Sequence, residues 1–269
     1  ATIRKLDETQ TRISTGLRVG KAEDNAAYWS IATTMRSDNG ALSTVKDALG
    51  LGSATIDVAY TGVNSAIDAV KEIKNKLVAA RQPGVDRSKI QSEILELQRQ
   101  LKSIGSTSVF SGENWISVDS SAPDYASTKT IVASFSRAST GISIGTIAVD
   151  VATIKLFDSA DQSGLLDSQD TTANGGASYS VSTLDISGLT NNDNDVKDLE
   201  QMIAWVDTSI TKMTSSAASL GAVKQRVNLQ KDFVSALMDA ITRGVGALVD
   251  ADMNEESTKL QALQVQQQL

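Results

Sequence analysis

The sequence predicts an α+β chain, with a long antiparallel, coiled-coil-like helical bundle built from both chain ends and an inserted β-rich outer domain. Two patterns carry this. Heptad spacing of apolar residues is sustained in the first and last thirds, while the middle is rich in Ser, Thr, Gly and Asp with short alternating apolar runs. Composition agrees: 41% of residues are hydrophobic but only 4% aromatic, with two prolines among 269 residues, which suits long helices packing aliphatic side chains and alanine.

In the first helical stretch Leu42, Val45, Leu49, Gly52, Ile56, Ala59, Val63, Ala66, Val70, Ile73, Leu77 and Ala80 alternate spacings of three and four, the a/d seam of a coiled coil, with Gly52 as its one position lacking an apolar side chain. Gln82-Pro83-Gly84 ends this helix and turns the chain. Asp86 or Ser88 can cap a second helix, in which Ile90, Ile94, Leu97, Leu101 and Ile104 keep the same rhythm. So short a link predicts an antiparallel hairpin.

From about Val109 the texture changes. Thr130–Phe135, Ile142–Ile147 and Tyr179–Leu184 read as strands, and Asn174-Gly175-Gly176 as a turn. Helix returns at about Val196, where Asn194 or Asp195 can cap it. Its seam runs through Leu199, Ile203, Val206, Ile210, Met213, Ala217, Leu220, Val223, Val227, Val234, Leu237, Ile241, Val245 and Leu248, with Gln230 at the one polar position. A stripe this long needs a partner, and the first stretch offers one. Bringing the arms together pushes the insert out at the far end of the bundle.

The formal charge of −7 argues against nucleic acid or anionic membrane as partners. Residues 113–195 carry eleven acids against Lys129, Arg137 and Lys155, so the acidity belongs to the middle. Without histidine or cysteine, a Ser-His-Asp triad, a His-ligated zinc, a thiolate site and a disulfide are all excluded. No run of 18 apolar residues reads as a membrane span, and the start at Ala1 carries no secretory leader in this sequence. No cofactor and no metal are expected, and no membrane insertion.

Several local patterns resemble chemistry. Gly141-Ile142-Ser143-Ile144-Gly145 has nucleophile-elbow spacing but no histidine base, and its flanks alternate like a strand. Asn191–Asp195 begins like a calcium loop, yet Val196 and Met202 stand where glycine and a bidentate glutamate are needed. Asp250, Asp252, Glu255 and Glu256 read as a charged patch on the last helix, solvated or facing another subunit. Trp29, Trp115 and Trp205 read as packing residues, with Trp115 also placed to stack on a sugar.

Thr11–Ala27, containing Arg12-Ile13-Ser14-Thr15-Gly16 and Ala22-Glu23-Asp24-Asn25-Ala26-Ala27, resembles the N-terminal signature of bacterial flagellins. Ser219–Val223, Gln225-Arg226 and Val249-Asp250-Ala251-Asp252 look like the C-terminal one. The resemblance implies a structural filament subunit of the bacterial flagellum, serving motility and exported to the extracellular side by the flagellar secretion apparatus. The implied partners are other flagellin subunits in a homopolymer, an export chaperone and a cap, with a glycan as partner under the polysaccharide-binding alternative.

It also implies a division of the chain. Residues 1–24 and 253–269 would be remnants of terminal assembly helices, 25–112 and 196–252 the helical core domain, and 113–195 the variable outer domain. Seam residues expected to build the core and its assembly are Leu42, Val45, Leu49, Ile56, Val63, Val70, Ile73, Leu77, Ile90, Ile94, Leu97, Leu101, Ile203, Val206, Ile210, Leu220, Val227, Val234, Leu237 and Ile241. Vertebrate immune recognition in the family depends on an Arg-Val-Arg-Glu-Leu-like motif. Ala69-Val70-Lys71-Glu72-Ile73, with Glu93, corresponds to it, and Ala69 at a motif arginine argues against strong recognition. Two alternatives share the architecture: a cell-surface homologue binding polysaccharide, and a hook–filament junction protein.

Overall fold

The computed structural model describes residues 2–268; Ala1 and Leu269, the outermost residues of the two expected terminal remnants, lie outside the described residues. In chain order the elements are α1 (Thr2–Thr15), α2 (Ala26–Ala80), α3 (Arg87–Thr107), β1 (Ser117–Val118), β2 (Thr128–Ala138), β3 (Gly141–Asp150), a 3-10 turn at Val151–Thr153, β4 (Phe157–Asp158), β5 (Asp170–Thr171), β6 (Ser178–Tyr179), α4 (Asp193–Val249) and α5 (Met253–Gln268). The fold is mostly helical, with long helices from both ends of the chain and a small central sheet region. Among the described residues strands pair in twos: β1 with β4 in parallel, β2 with β3, and β5 with β6 antiparallel.

The chain forms two compact units, one of residues 1–48, 132–145 and 230–269, the other of residues 49–131 and 146–229.

In the second unit α2 and α4 run antiparallel. Ser53 donates to Asn228, and Lys224, Lys74 and Arg81 pair with Asp57, Asp207 and Glu200. Each step up α2 is matched by an equal step down α4. These exposed pairs contribute little energy individually and serve as markers of register. Stability comes from the seam between them, where Leu49, Ile56, Val63, Val70 and Leu77 are fully buried at seven-residue spacing, as are Leu199, Val206 and Met213 on α4.

The link after α2 places Gly84 at φ 83, a left-handed conformation that a side chain would disfavour. Asp86, not Ser88, caps α3, accepting from the Ser88 and Lys89 amides. Arg87 is buried and turns back to donate from Nε to the Ala80 carbonyl at the end of α2 (3.0 Å) and from Nη1 to Asn191 Oδ1 (2.9 Å). The start of α4 differs from expectation: Asn192 caps it, its Oδ1 accepting from the Asp195 amide (2.8 Å), while Asp195 accepts from Thr190.

Two of the three expected strands form within β2 and β3, and Ile142 and Ile144 alternate along β3 as strand residues rather than flanking a nucleophile turn. The third does not. Only Tyr179 of Tyr179–Leu184 is in a strand, because Val181 and Leu184 are drawn onto α3, where Gln98 Nε2 donates to both carbonyls (3.2 and 3.0 Å). Alternation in a polar segment is compatible with either outcome, and the buried Gln98 decides it.

Candidate functional site

The first unit carries the residues of the N-terminal signature in a paired connector. The segment joining α1 to α2 runs beside the one joining α4 to α5: Leu17 and Asp250 form a β-bridge, the Val19 amide donates to the Val249 carbonyl (3.0 Å) and Ala251 to Gly16 (3.0 Å). Val19 is buried with Ala32, Val245 and Val249, and Leu17, Met35, Ile241 and Leu248 close over them. Arg18 donates to the carbonyls of Ala247 (3.2 Å) and Leu248 (2.7 Å), two of the orphan acceptors at the end of α4, and lies over the Tyr28 ring. Asp24 accepts from the Gly20 and Lys21 amides, and Asn25 caps α2 through the Tyr28 amide. Arg18, Asp24 and Asn25 thus each satisfy particular backbone groups, which gives this part of the signature a structural meaning.

Beyond the connectors α1 packs on α5. Arg12 Nη1 meets the buried Glu256 Oε1 at 3.2 Å. The expected acidic patch on one helix is therefore not formed. Asp250 lies in the bridge, Asp252 caps α5 through the Asn254 and Glu255 amides, Glu255 pairs with Lys259, and Glu256 is buried against Arg12.

Of the seam residues, Leu42, Val45, Leu49, Ile56, Val63, Val70, Ile73 and Leu77 on α2, Ile94 and Leu101 on α3, and Val206, Leu220, Val227 and Val234 on α4 are buried. Ile90, Leu97, Ile203, Ile210, Leu237 and Ile241 are half-buried. The two irregular seam positions are where β2 docks. A Cβ on Gly52 would lie 2.7 Å from the Ile131 side chain, which occupies that slot, and Gln230 Nε2 donates to the Ala133 carbonyl (2.9 Å).

Sequence reasoning missed a polar knot in the second unit. Lys155 Nζ donates to Asp158 Oδ2 and to Ser163 Oγ, both at 2.6 Å, while Asp158 Oδ1 accepts from the Ser120 and Ala160 amides. Burial pushes the Asp158 carboxyl up, but the bonds from Lys155, Ser120 and Ala160 outweigh it and hold it well below the usual carboxylate range. Burial likewise opposes the Lys155 charge, and Asp158 more than offsets this, so the ammonium's pKa is raised. A protonated lysine beside Ser163 Oγ is no general base, so the knot is an ion pair and not a catalytic dyad. Nothing in the spacing of Lys155, Asp158 and Ser163 marks it in advance.

The tryptophans differ from expectation. Trp115 is 4% exposed, its Nε1 donating to Glu113, so its ring face is closed to a sugar. Trp29 is an exposed helix residue and not a packing one, while Trp205 packs edge-on against Tyr179. Among the described residues no three metal-ligating side chains gather, and no helix is long and apolar enough to cross a membrane.

Family comparisons give this arrangement its context. The bacterial flagellin N-terminal helical region matches residues 1–121 and the C-terminal helical region matches residues 203–269. The chain belongs to the flagellin family. It is similar to Flagellin C of Rhizobium meliloti (strain 1021), 49% identical over 283 residues that cover 98% of this chain and 86% of that protein. It is also similar to a flagellin of Brucella melitensis biotype 1, 38% identical over 270 residues that cover 100% of this chain and 86% of that one. A crystal structure of Bacillus cereus flagellin matches at a TM-score of 0.45 and 15% identity, covering 71% of this chain and 88% of that one. As a flagellin the chain is a structural subunit of the extracellular flagellar filament, and the relatives named favour neither the polysaccharide-binding nor the junction reading.

Proposed function

We propose that this flagellin polymerises with copies of itself through its helical arms, and that its role is mechanical rather than catalytic. The observation that carries the reading is the apolar surface of the terminal pair: Ile3 on α1 is 63% exposed and Val265 on α5 is 58% exposed. Helices of 14 and 16 residues do not persist alone in water, and α1 and α5 bury few of their own side chains. Neighbouring subunits in a homopolymer cover such surfaces, through heterologous contacts that do not close and so propagate a fibre. Residues 1–24 and 253–269 then serve assembly, the buried seam keeps the arms stiff, and the acidic segment 113–195 faces solvent. Export by the flagellar secretion apparatus, with a chaperone and a cap as partners, belongs to the same reading.

The test substitutes Ile3→Asp and Val265→Asp together in cells that make no other flagellin. Monomer stability should stay within about 0.5 kcal/mol of the parent, as for exposed positions generally, while electron microscopy finds no filaments. Filaments of normal length from the double variant would overturn the proposal.

A further inference from the structure

The turn between β5 and β6 holds a pair of residues whose chemistry the filament role does not use. In an Asn-Gly pair the glycine nitrogen can attack the asparagine side-chain carbon, because no side chain on the following residue hinders ring closure. Here the fold favours the pair. Gly176 sits at φ 69, and a Cβ on Gly175 would come within 3.1 Å of Asp198 Oδ2 and 3.3 Å of Thr172 Oγ1. A side chain at Gly175 would crowd Asp198 and Thr172, so the turn favours glycine immediately after Asn174, in an exposed segment.

Asp198, on the second turn of α4 and 1% exposed, meets the reacting atoms directly. Its Oδ2 accepts from the Gly175 amide at 2.8 Å, and its Oδ1 accepts from the Asn174 amide at 3.1 Å and from Asn174 Nδ2 at 3.0 Å. Asn174 Nδ2 also faces the Asn194 carbonyl at 3.4 Å. One carboxylate therefore holds the nucleophilic nitrogen, the leaving amide and the Asn174 backbone amide.

We propose that Asn174-Gly175 is a latent deamidation site kept unreacted by Asp198. Reaction requires hydroxide to take the Gly175 amide proton. The nitrogen then bonds to Asn174 Cγ, Nδ2 takes a proton from water as the Cγ–Nδ2 bond breaks and leaves as ammonia, regenerating hydroxide, and water opens the succinimide to aspartate or isoaspartate. Asp198 opposes each early step. Its hydrogen bond must break before the proton leaves, its charge disfavours an amide anion beside it, and its grip on Nδ2 holds Cγ in place. Aspartate puts a second carboxylate where Asn174 Nδ2 now donates, and isoaspartate routes the main chain through Cγ and frees the former backbone carbonyl as a carboxylate, so either product breaks the set of bonds to Asp198. An extracellular subunit is not resynthesised in place, which makes such protection relevant to a filament.

The chain supplies its own control, since its other Asn-Gly pair, Asn39-Gly40, lies within α2 and is held by the helical ladder. The full chain is incubated at mildly alkaline pH, and both pairs are followed by peptide mass spectrometry and isoaspartyl methyltransferase labelling, in the folded protein, in urea and in Asp198→Asn. Asn174 in the folded parent should react at least roughly tenfold more slowly than in urea, and Asp198→Asn should recover roughly tenfold of that rate, the loss of one charge-assisted bond, with Asn39 unchanged. Three results would each overturn the proposal: a folded rate equal to that in urea, no acceleration in Asp198→Asn, or equal acceleration at Asn174 and Asn39, which reports global unfolding instead of a local guard.

Discussion

Gly52 interrupts a run of apolar seam residues because Ile131 of β2 fills the space where its side chain would be. Gly52→Val should therefore cost about 1–3 kcal/mol in urea denaturation through overpacking, and adding Ile131→Ala should return part of it, a coupling that a double-mutant cycle reads directly. At Lys155–Asp158 the magnitudes favour a different kind of sensitivity. Asp158→Ala leaves a buried ammonium without its partner and should lose roughly 3–5 kcal/mol, whereas replacing both by apolar residues should be far milder. The pH dependence follows from the directions of the shifts. The lowered Asp158 pKa stabilises above the unfolded value near pH 4 and fades as pH falls through the folded one; the raised Lys155 pKa stabilises below about pH 10 and fades as pH rises further. The stability difference between parent and Asp158→Ala should thus be flat between those limits and shrink on acidification.

Among the elements, what the sequence made legible was whatever depended on one repeating contact. The seams of α2 and α4 could be read because each heptad repeats the same demand, and the break at Gln82-Pro83-Gly84 because proline and glycine act locally. Tyr179–Leu184 could not, because its conformation is set by Gln98, far away in the chain. The same reason hides Arg18 and Asp198, whose partners are backbone groups of elements distant in sequence. Gly52 and Gln230 were visible as irregularities, and their meaning required the hairpin. Gln230→Ala should remove the bond to Ala133, about 1 kcal/mol, and raise amide exchange in residues 132–145 more than elsewhere.

For the whole molecule, we propose that the two arms build a subunit whose terminal helices complete themselves on neighbours. The family signatures fall on the connectors, where Arg18, Asp24 and Asn25 satisfy backbone ends, so their place in the chain reflects the need to carry α1 and α5 as a pair. Electron microscopy of a flagellin-free bacterium expressing the full-length protein tests this most directly. Filaments built from this subunit alone are expected; secretion of folded protein that never polymerises, with the cells remaining bald, would contradict self-assembly through the arms.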